Sequence, residues 1–353
     1  MSAPKPVNPI AGLNPGNREK LYLGHLTKMR RGVFEISGNE QFFIVRAGMD
    51  NAKFREILPY FAQGKNLLRN ERDEFIDIFF TNYMKPVIES LERQEIDKAM
   101  LVRPGDNHHT IAYPSVCKSR PAFEAGLSAL MQLHFIRHFK PVYMARKHDI
   151  AFADKEPTLM WRGATTGEFR IKPGSPLGSR SYVPALMDRI KHRGDMDIAF
   201  SKIVQLPPDR AEHMREHYFA PRIDIREQVK FRYLLSLEGN DTASGLKWML
   251  ATNSCIIMPH ITIMTWACEN MLRPYVHYVP VRYDLADLEE VFDWCLQNEG
   301  KCEEIAQNGK AFIEMFENPK VEQGIGDKIV RFITNRSRVL KAVGSDIPDD
   351  LFD

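Results

Sequence analysis

Residues 230–259 read KFRYLLSLEGNDTASGLKWMLATNSCIIMP and carry the clearest structural pattern in the chain. They open with a strand-like apolar run that ends at Leu237, and the chain then turns at Glu238-Gly239-Asn240. The residues from Thr242 to Ala251 favour a helix, and a second apolar run, Cys255 to Met258, closes at Pro259. The order strand, turn, helix, strand is the repeating unit of a parallel α/β sheet. We therefore predict an α/β fold.

The turn in this unit is the first place to expect a phosphate group. It lies at the carboxyl edge of the sheet, where the N–H groups that begin a helix attract anions. Gly239 allows a ligand to approach the backbone, Asp241 or Thr242 can cap the helix, and Lys247 adds a cation further along. Neither GxGxxG nor GxxxxGK[ST] is present, and most turns of this kind bind nothing. The local pattern leaves both readings open.

The composition bears on the number of domains, the charge of possible partners and the redox compartment. A length of 353 residues suggests about two domains, and 44% apolar residues suffice for packed cores. A net charge of +2 gives no reason to expect a nucleic-acid partner. The five cysteines form no CxxC pair, and their odd number argues against a complete disulfide framework, so we expect a reducing compartment. They are Cys117, Cys255, Cys268, Cys295 and Cys302.

No segment has the pattern of a secretion signal or a membrane span. The first twenty residues are rich in Pro, Asn and Gly, and no later run approaches the ~18 uninterrupted apolar residues that a span needs. These features predict a soluble, cytoplasmic protein, and they leave a peripheral contact with a membrane open.

Local patterns predict several further elements. We expect a hairpin over residues 32–45, helices over 51–94, a strand at Met100-Leu101-Val102 and a helical segment over 123–139, with Arg137 and Lys140 on an exposed face. A strand at 158–161 should turn at Arg162-Gly163, a mobile loop should follow over 170–180, and a last helix should cover 324–343.

Several polar residues are candidates for chemistry. Asp106 follows an apolar strand and a Pro-Gly turn, which is where a sheet places catalytic groups, although Pro-Gly-Asp also favours a plain turn. Histidines at i, i+4 spacing can bind a metal, but no third ligand is apparent. Asp195-Met196-Asp197 is formally a metal-binding DxD, and a turn into a strand is the better interpretation. The histidines considered are His108 and His109 as alternative bases, and the pairs His134/His138 and His213/His217.

Six segments, in this order, resemble the Rumi-type protein O-glucosyltransferase family. That family includes capsule-associated xylosyltransferases and bacterial lipopolysaccharide-core glycosyltransferases, and the bacterial branch is the most similar. The segments span roughly two thirds of the chain, and their joint order is more specific than any one of them. They are CKSRP from Cys117, WRGATT from Trp161, KFRYLLSLEGNDTASGLKWML from Lys230, PYVHYVPV from Pro274, DLADLEEVFDWC from Asp284, and IAQNGKAF from Ile305, together with the strand-end Asp106.

The resemblance implies a fold of the GT-B type, in which two Rossmann-like domains face across a cleft. Residues 1–155 would form the acceptor-side domain, 156–320 the nucleotide-sugar domain, and 321–353 a helix that folds back with a tail. The implied function is an inverting glycosyltransferase, independent of metal or another cofactor, that moves a sugar from a UDP-sugar to a hydroxyl of a glycan or glycolipid. Lipopolysaccharide core and capsule are the acceptors that the resemblance suggests, with no nucleic-acid partner.

The resemblance also assigns roles to residues. Asp106 would be the general base, Lys118 and Arg120 would supply cations beside the cleft, and Arg162 would contact the donor diphosphate. Eukaryotic members often have an Arg where Thr165 stands, and many members have a Glu where Met264 stands. The other residues implied in donor binding are Gly163, Thr166, Glu238, Gly239, Asn240, Asp241, Thr242, Ala243, Ser244 and Lys247.

Two other functions stay open at this stage. A catalytically silent protein that binds a nucleotide or glycan would keep the same scaffold, and the departures at Thr165 and Met264 are compatible with it. Another enzyme of nucleotide-sugar chemistry, such as an epimerase, would also need a phosphate-binding turn. Turnover of a donor would separate transfer from binding alone.

Overall fold

The computed structural model describes residues 14–107, 111–122, 126–133, 135–167 and 178–352. His108, His109, His134 and most of the predicted loop over 170–180 lie outside these residues. The helices in the described part are α1 Pro15–Leu23, α2 Asn51–Ile57, α3 Ala62–Asn70, α4 Asp73–Phe79, α5 Lys85–Arg93, α6 Phe135–His148, α7 Val183–Arg189, α8 Pro208–His217, α9 Ile225–Gln228, α10 Leu246–Leu250, α11 Leu288–Gln297, α12 Glu299–Glu314 and α13 Pro319–Arg336.

The strands are numbered in the same way. Those in the described part are β1 Gly32–Ile36, β2 Phe43–Val45, β3 Met100–Arg103, β4 Ser115–Cys117, β5 Ser119–Pro121, β6 Ser128–Leu130, β7 Glu156–Ala164, β8 Met196–Lys202, β9 Phe231–Leu235, β10 Cys255–Met258, β11 Ile263–Thr265, β12 Val279–Pro280 and β13 Ser337–Lys341.

The chain forms two compact units. The central unit is Ile136–Glu317, and the terminal unit joins Leu13–Phe135 to Asn318–Asp353. The domain boundaries that the sequence suggested, after residues 155 and 320, stay a prediction about how the protein is divided.

The central unit is built on a parallel sheet in the order β12-β10-β9-β7-β8, within the described residues. Strands β9 and β10 are buried almost throughout, which explains their continuous apolar runs. This sheet confirms the predicted parallel α/β unit. Because β7 is followed by β8 on one side and by β9 on the other, the order of strands reverses between β7 and β9. Open α/β sheets bind ligands outside the carboxyl ends of the strands at such a switch point.

Two predicted boundaries in the central unit are wrong. Helix α10 begins only after Gly245 rather than at Thr242, and the preceding residues form turns whose Gly239 N–H donates to the Asp241 carbonyl, with N···O 3.0 Å. Strand β7 continues through Arg162-Gly163 to Ala164, because β8 pairs with it along that length. In both places tertiary contacts override local propensity.

The terminal unit has a sheet in the order β2-β3-β4-β6 among its described residues, with β2 antiparallel and the others parallel. The helices over 51–94 and the strand from Met100 are confirmed. Phe43 from β2 packs against Phe54, Phe61 and Phe79 of the helical region, with ring centroids 5.2 to 6.0 Å apart. These rings form part of the core of the terminal unit.

Three predictions for segments outside the central sheet are also wrong. The segments over 32–45 form no hairpin, because β1 pairs in parallel with β13 while β2 pairs with β3. The last helix ends at Arg336 and gives way to β13. The predicted helix over 123–139 contains the short buried strand β6, and α6 begins only at Phe135. Short apolar runs do not distinguish a buried strand from a buried helix.

Two expectations from composition can be compared with the structure. All five cysteines lie in the described residues and are buried, and none forms a disulfide bond. Among the described helices, none has both the length and the apolar composition needed to cross a membrane.

Candidate active site

The turns after β7 and β9 meet at the switch point of the central sheet. Gly167 has a φ of +77°, and a Cβ on it would lie 2.2 Å from the carbonyl oxygen of Gly239. A Cβ on Gly239 would in turn lie 3.0 Å from Thr166 Oγ1 and 3.1 Å from the guanidinium carbon of Arg180. The close approach of the two turns therefore requires glycine at residue 167, and a side chain on residue 239 would press against Thr166 and Arg180. Of the predicted donor residues, the structure therefore brings Thr166 and Gly239 together.

Arg180 joins these two turns. It lies in a short 3-10 turn, Ser179–Tyr182, and its guanidinium donates to the carbonyls of Ala164 and Leu237, both at 2.8 Å, and to Thr166 Oγ1 at 3.0 Å. These acceptors are neutral, and the buried Nε has no partner among the described residues. Burial lowers the pKa of Arg180 to about 10, although Asp241 and Glu238 raise it. Within the described residues, Arg180 is thus a buried cation at the switch point whose guanidinium bonds to no carboxylate.

A small pocket lies at the carboxyl ends of β9 and β10, and Ser179, which precedes Arg180 in the sequence, is part of its lining. Its empty volume is about 260 Å³, open solvent included, and Ser179, His260 and Tyr283 contribute polar groups to its lining. Glu238 also lines it, but its carboxylate accepts hydrogen bonds from the N–H groups of Thr262 and Ile263, both at 3.0 Å, and from the Thr262 hydroxyl. Glu238 thus fixes the shape of the pocket.

The remaining residues of the turn that were predicted to bind the donor differ in their exposure to solvent. Thr242 and Ala243 are buried, Ser244 is exposed, and Asp241 is partly exposed. The side-chain oxygen of Asn240 is buried without a hydrogen-bond partner among the described residues. A ligand N–H or O–H would satisfy it, since a buried acceptor left unpaired is costly.

Lys247 lies in a buried ion pair. Its ammonium group is 3.0 Å from Glu269 Oε1 and 5.2 Å from the centroid of the Trp266 ring. Thr265 donates to the same carboxylate from its N–H and its hydroxyl, both at 2.7 Å. Burial would raise the pKa of Glu269, but the Lys247 charge and the Thr265 bonds outweigh it, and the pKa is lowered. The structure thus shows Lys247 neutralising a carboxylate of its own chain.

Arg162 is engaged in the same way. Its NH2 group donates to both carboxylate oxygens of Asp197, at 2.7 and 2.8 Å, and its other donors bind the carbonyls of Trp161, Asp197 and Pro221. Each of the three guanidinium nitrogens thus has an acceptor among the described residues. Its neighbour Gly163 has a packing role, because a Cβ there would lie 2.2 Å from the Trp161 ring.

The DxD pair forms ion pairs with arginines. Asp195 binds Arg193 at 2.8 Å, Asp197 binds Arg162, and the two aspartates flank the start of β8, which agrees with the predicted turn into a strand. In the described part of the chain, no group of three or more His, Cys, Asp or Glu residues is arranged to hold a metal. The rings of His213 and His217 lie next to each other in a tilted arrangement, with centroids 4.6 Å apart.

The two departures from the family pattern have structural explanations. Thr165 is buried, and its hydroxyl donates to the Val204 carbonyl at 2.6 Å and accepts from the Val204 N–H at 2.8 Å, which ties the end of β7 to the segment after β8. Met264 is buried within the short strand β11. Both side chains therefore have a structural role, Thr165 through its hydrogen bonds and Met264 through its burial.

In the terminal unit, Asp106 lies just beyond the carboxyl end of β3. Lys118 holds its carboxylate at 2.6 Å, and the neighbouring Asn107 is buried, with its side-chain oxygen accepting from Arg103 Nε at 2.7 Å and its N–H donating to Ser119 Oγ at 3.3 Å. Buried hydrogen bonds therefore fix the backbone next to Asp106, while its own side chain stays partly exposed.

Arg120 binds backbone carbonyls within the terminal unit. Its guanidinium donates to the carbonyls of Leu21 and Tyr22 at the end of α1 and to the Ser128 carbonyl. A cation at a helix C-terminus satisfies the carbonyls that lack partners there. Of the two predicted cleft cations, Lys118 lies beside Asp106, and Arg120 caps α1.

Sequence reasoning missed Arg180. It stands at the end of a Gly/Pro-rich segment that we predicted to be a mobile loop, and no local pattern marks it. The only available signal was its place in the α/β unit, between a strand and the helix that crosses to the next strand, where a cation reaches the carboxyl edge.

Comparison with known proteins identifies the family. The chain is 31% identical over 210 residues to O-glucosyltransferase LpsA of Dichelobacter nodosus, covering 59% of this chain and 58% of that protein. It is 34% identical over 83 residues to protein O-glucosyltransferase 2 of Danio rerio, covering 24% and 16%. The chain thus spans less than two thirds of either relative.

Among solved structures, a sucrose-phosphate synthase from Thermosynechococcus elongatus matches with a TM-score of 0.37 and 13% identity, over 59% of this chain and 53% of that one. The model of glycosyl transferase family 90 matches residues 137–323, which include the switch point, Arg180 and the Lys247 pair. This match confirms the resemblance read from the sequence, and the chain belongs to glycosyl transferase family 90.

Proposed function

We propose that the protein is an inverting glycosyltransferase that moves a sugar from a UDP-sugar to a hydroxyl of a cell-surface glycan, such as lipopolysaccharide core or capsule. The observation that carries the proposal is Arg180, a buried cation at the switch point whose acceptors in the described residues are neutral. Such a cation suits a diphosphate, which is the leaving group of the reaction. Each unit contains a sheet with parallel strands, which suits the Rossmann-like domains of the GT-B type.

The proposed reaction is a single displacement at the anomeric carbon. The acceptor oxygen forms the new bond from the face opposite the diphosphate, the bond from carbon to the diphosphate oxygen breaks, and UDP leaves with the electron pair. Asp106 takes the acceptor proton as the bond forms. Arg180 and the backbone near Gly239 stabilise the negative charge that builds on the departing diphosphate.

Arg162 and Lys247 would contact the donor diphosphate only if it displaced the carboxylates that pair with them. Arg162 forms an ion pair with Asp197, and Lys247 forms one with Glu269. A donor would have to compete with those carboxylates, so we assign the diphosphate first to Arg180. Because Arg180 supplies positive charge, we propose that no divalent metal is required, which a chelator tests.

The acceptor and the location follow from the family resemblance. The named relative from Dichelobacter nodosus is an O-glucosyltransferase, which supports a hydroxyl acceptor. We propose that the enzyme works in the cytoplasm on a glycan or glycolipid, in peripheral contact with the inner membrane.

Arg180→Gln is expected to weaken UDP binding about 10- to 100-fold, because a charge-assisted hydrogen bond to phosphate is lost. Affinity for uridine, which has no phosphate, should change little. Calorimetric titration of both ligands measures this difference, and Arg189→Gln in α7 is the matched control because its side chain is partly exposed and paired with Glu289.

Two results would contradict the role of Arg180. Unchanged affinity for UDP would remove the diphosphate contact. An equal loss for UDP and uridine would show that Arg180 only holds the strand ends together. The charge-conserving Arg180→Lys should lie between wild type and Arg180→Gln, since it keeps the charge and loses the planar fork.

A further inference from the structure

Helix α6 carries an exposed stripe that is both apolar and basic. Phe139, Val142 and Ala145 are buried on one side of the helix. The opposite side exposes Ile136, Lys140, Tyr143 and Lys147, whose spacing of three and four residues places them in one line. Ile136 is 67% exposed and Tyr143 is 48% exposed, so these large apolar side chains face solvent.

The charges along α6 are of one sign. The helix contains Arg137, Lys140, Arg146 and Lys147 and no Asp or Glu. Arg146 pairs with Glu314 and Glu317 of the neighbouring chain segment, whereas Lys140 and Lys147 form no ion pair with any residue in the described ranges. Ile150, just beyond the helix end, is also exposed. The stripe thus combines unneutralised cations with apolar groups.

We propose that this stripe, Ile136, Lys140, Tyr143, Lys147 and Ile150, binds the surface of an anionic lipid bilayer. Exposed cations attract acidic headgroups. The aliphatic part of Lys and the ring of Tyr favour the boundary between headgroups and acyl chains, and Ile inserts into the apolar layer. A polynucleotide would use the cations and leave two isoleucines in water. A net charge of only +2 makes the attraction local to this face.

The proposal is independent of the proposed transfer reaction, because lipid binding needs neither donor nor turnover. Its test is co-sedimentation of the full chain with phosphatidylcholine vesicles, with and without anionic phosphatidylglycerol. Wild type should bind the anionic vesicles and lose binding at high salt. The double variant Lys140→Gln/Lys147→Gln should bind roughly 30-fold more weakly, and Ile136→Ser/Tyr143→Ser roughly tenfold more weakly.

A charge-matched control separates the stripe from general basicity. Lys65→Gln/Lys202→Gln removes two exposed lysines elsewhere and should bind as wild type. Equal binding to neutral and anionic vesicles, no binding to either, or an equal loss in the control would overturn the proposal. Release of UDP from a soluble donor is measured on the same variants. Its retention when lipid binding is lost separates this surface from the catalytic machinery, and its absence in wild type contradicts the transfer proposal alone.

Discussion

Replacing Asp106 with asparagine is expected to lower the rate of sugar transfer by about 10²- to 10⁴-fold while leaving UDP affinity unchanged. The amide keeps the size of the carboxylate but does not accept the acceptor proton. Lys118, 2.6 Å away, orients the carboxylate, and the buried Asn107 fixes the backbone beside it. Single-turnover rates and calorimetric UDP affinities separate chemistry from binding.

The control for this variant lies in the same unit. Asp346 is exposed, and Asp346→Asn should have the wild-type rate because it removes one negative charge from a residue with no assigned role. Transfer by Asp106→Asn at near wild-type rate would remove Asp106 as the base. A proportional loss of UDP affinity would indicate a binding role instead.

The second large effect concerns the ion pair of Lys247 and Glu269. Lys247→Met is expected to lower the free energy of unfolding by about 3–5 kcal/mol, because it leaves a buried carboxylate without its cation. Lys247→Met combined with Glu269→Gln should recover most of that loss. All four tryptophans belong to the central unit, so their fluorescence during urea unfolding reports on this unit.

The pH dependence of stability gives an independent check on the pair. In the wild type the folded pKa of Glu269 is lowered, so its contribution is present above the unfolded pKa and is lost as pH falls through the folded pKa. In Lys247→Met burial dominates and raises the folded pKa. Stability relative to the double variant should then fall as pH rises above the unfolded value. The same pH slope in Lys247→Met and wild type would contradict the assignment.

Patterns confined to one segment were predictable from the sequence. The buried runs of β9 and β10 are long enough to identify parallel strands, and the turn between them contains Gly239, which the structure places in contact with the preceding turn. The order of the six resembling segments identified the family. Asp106 could be placed at a strand end because a strand and a Pro-Gly turn precede it directly.

Features that depend on distant parts of the chain were not predictable. The family resemblance assigned Arg162 to a diphosphate, and its pairing with Asp197 on the neighbouring strand, through the NH2 group, was not visible in the sequence. Lys247 likewise meets Glu269 only through tertiary packing. Arg180 gains its place from three acceptors on two separated turns. Residues 32–45 were misread because β1 pairs with β13, about 300 residues later in sequence.

The most direct test of the central claim is UDP release by the purified protein against a panel of UDP-sugars, with and without a metal chelator. The account predicts slow release from one or two donors, unaffected by the chelator and lost in Asp106→Asn. A protein that binds UDP but releases no UDP from any donor would be a catalytically silent binding protein. Release that requires a divalent metal would make Asp195 and Asp197 candidate metal ligands. If the protein neither binds UDP nor releases it, the proposed function is contradicted.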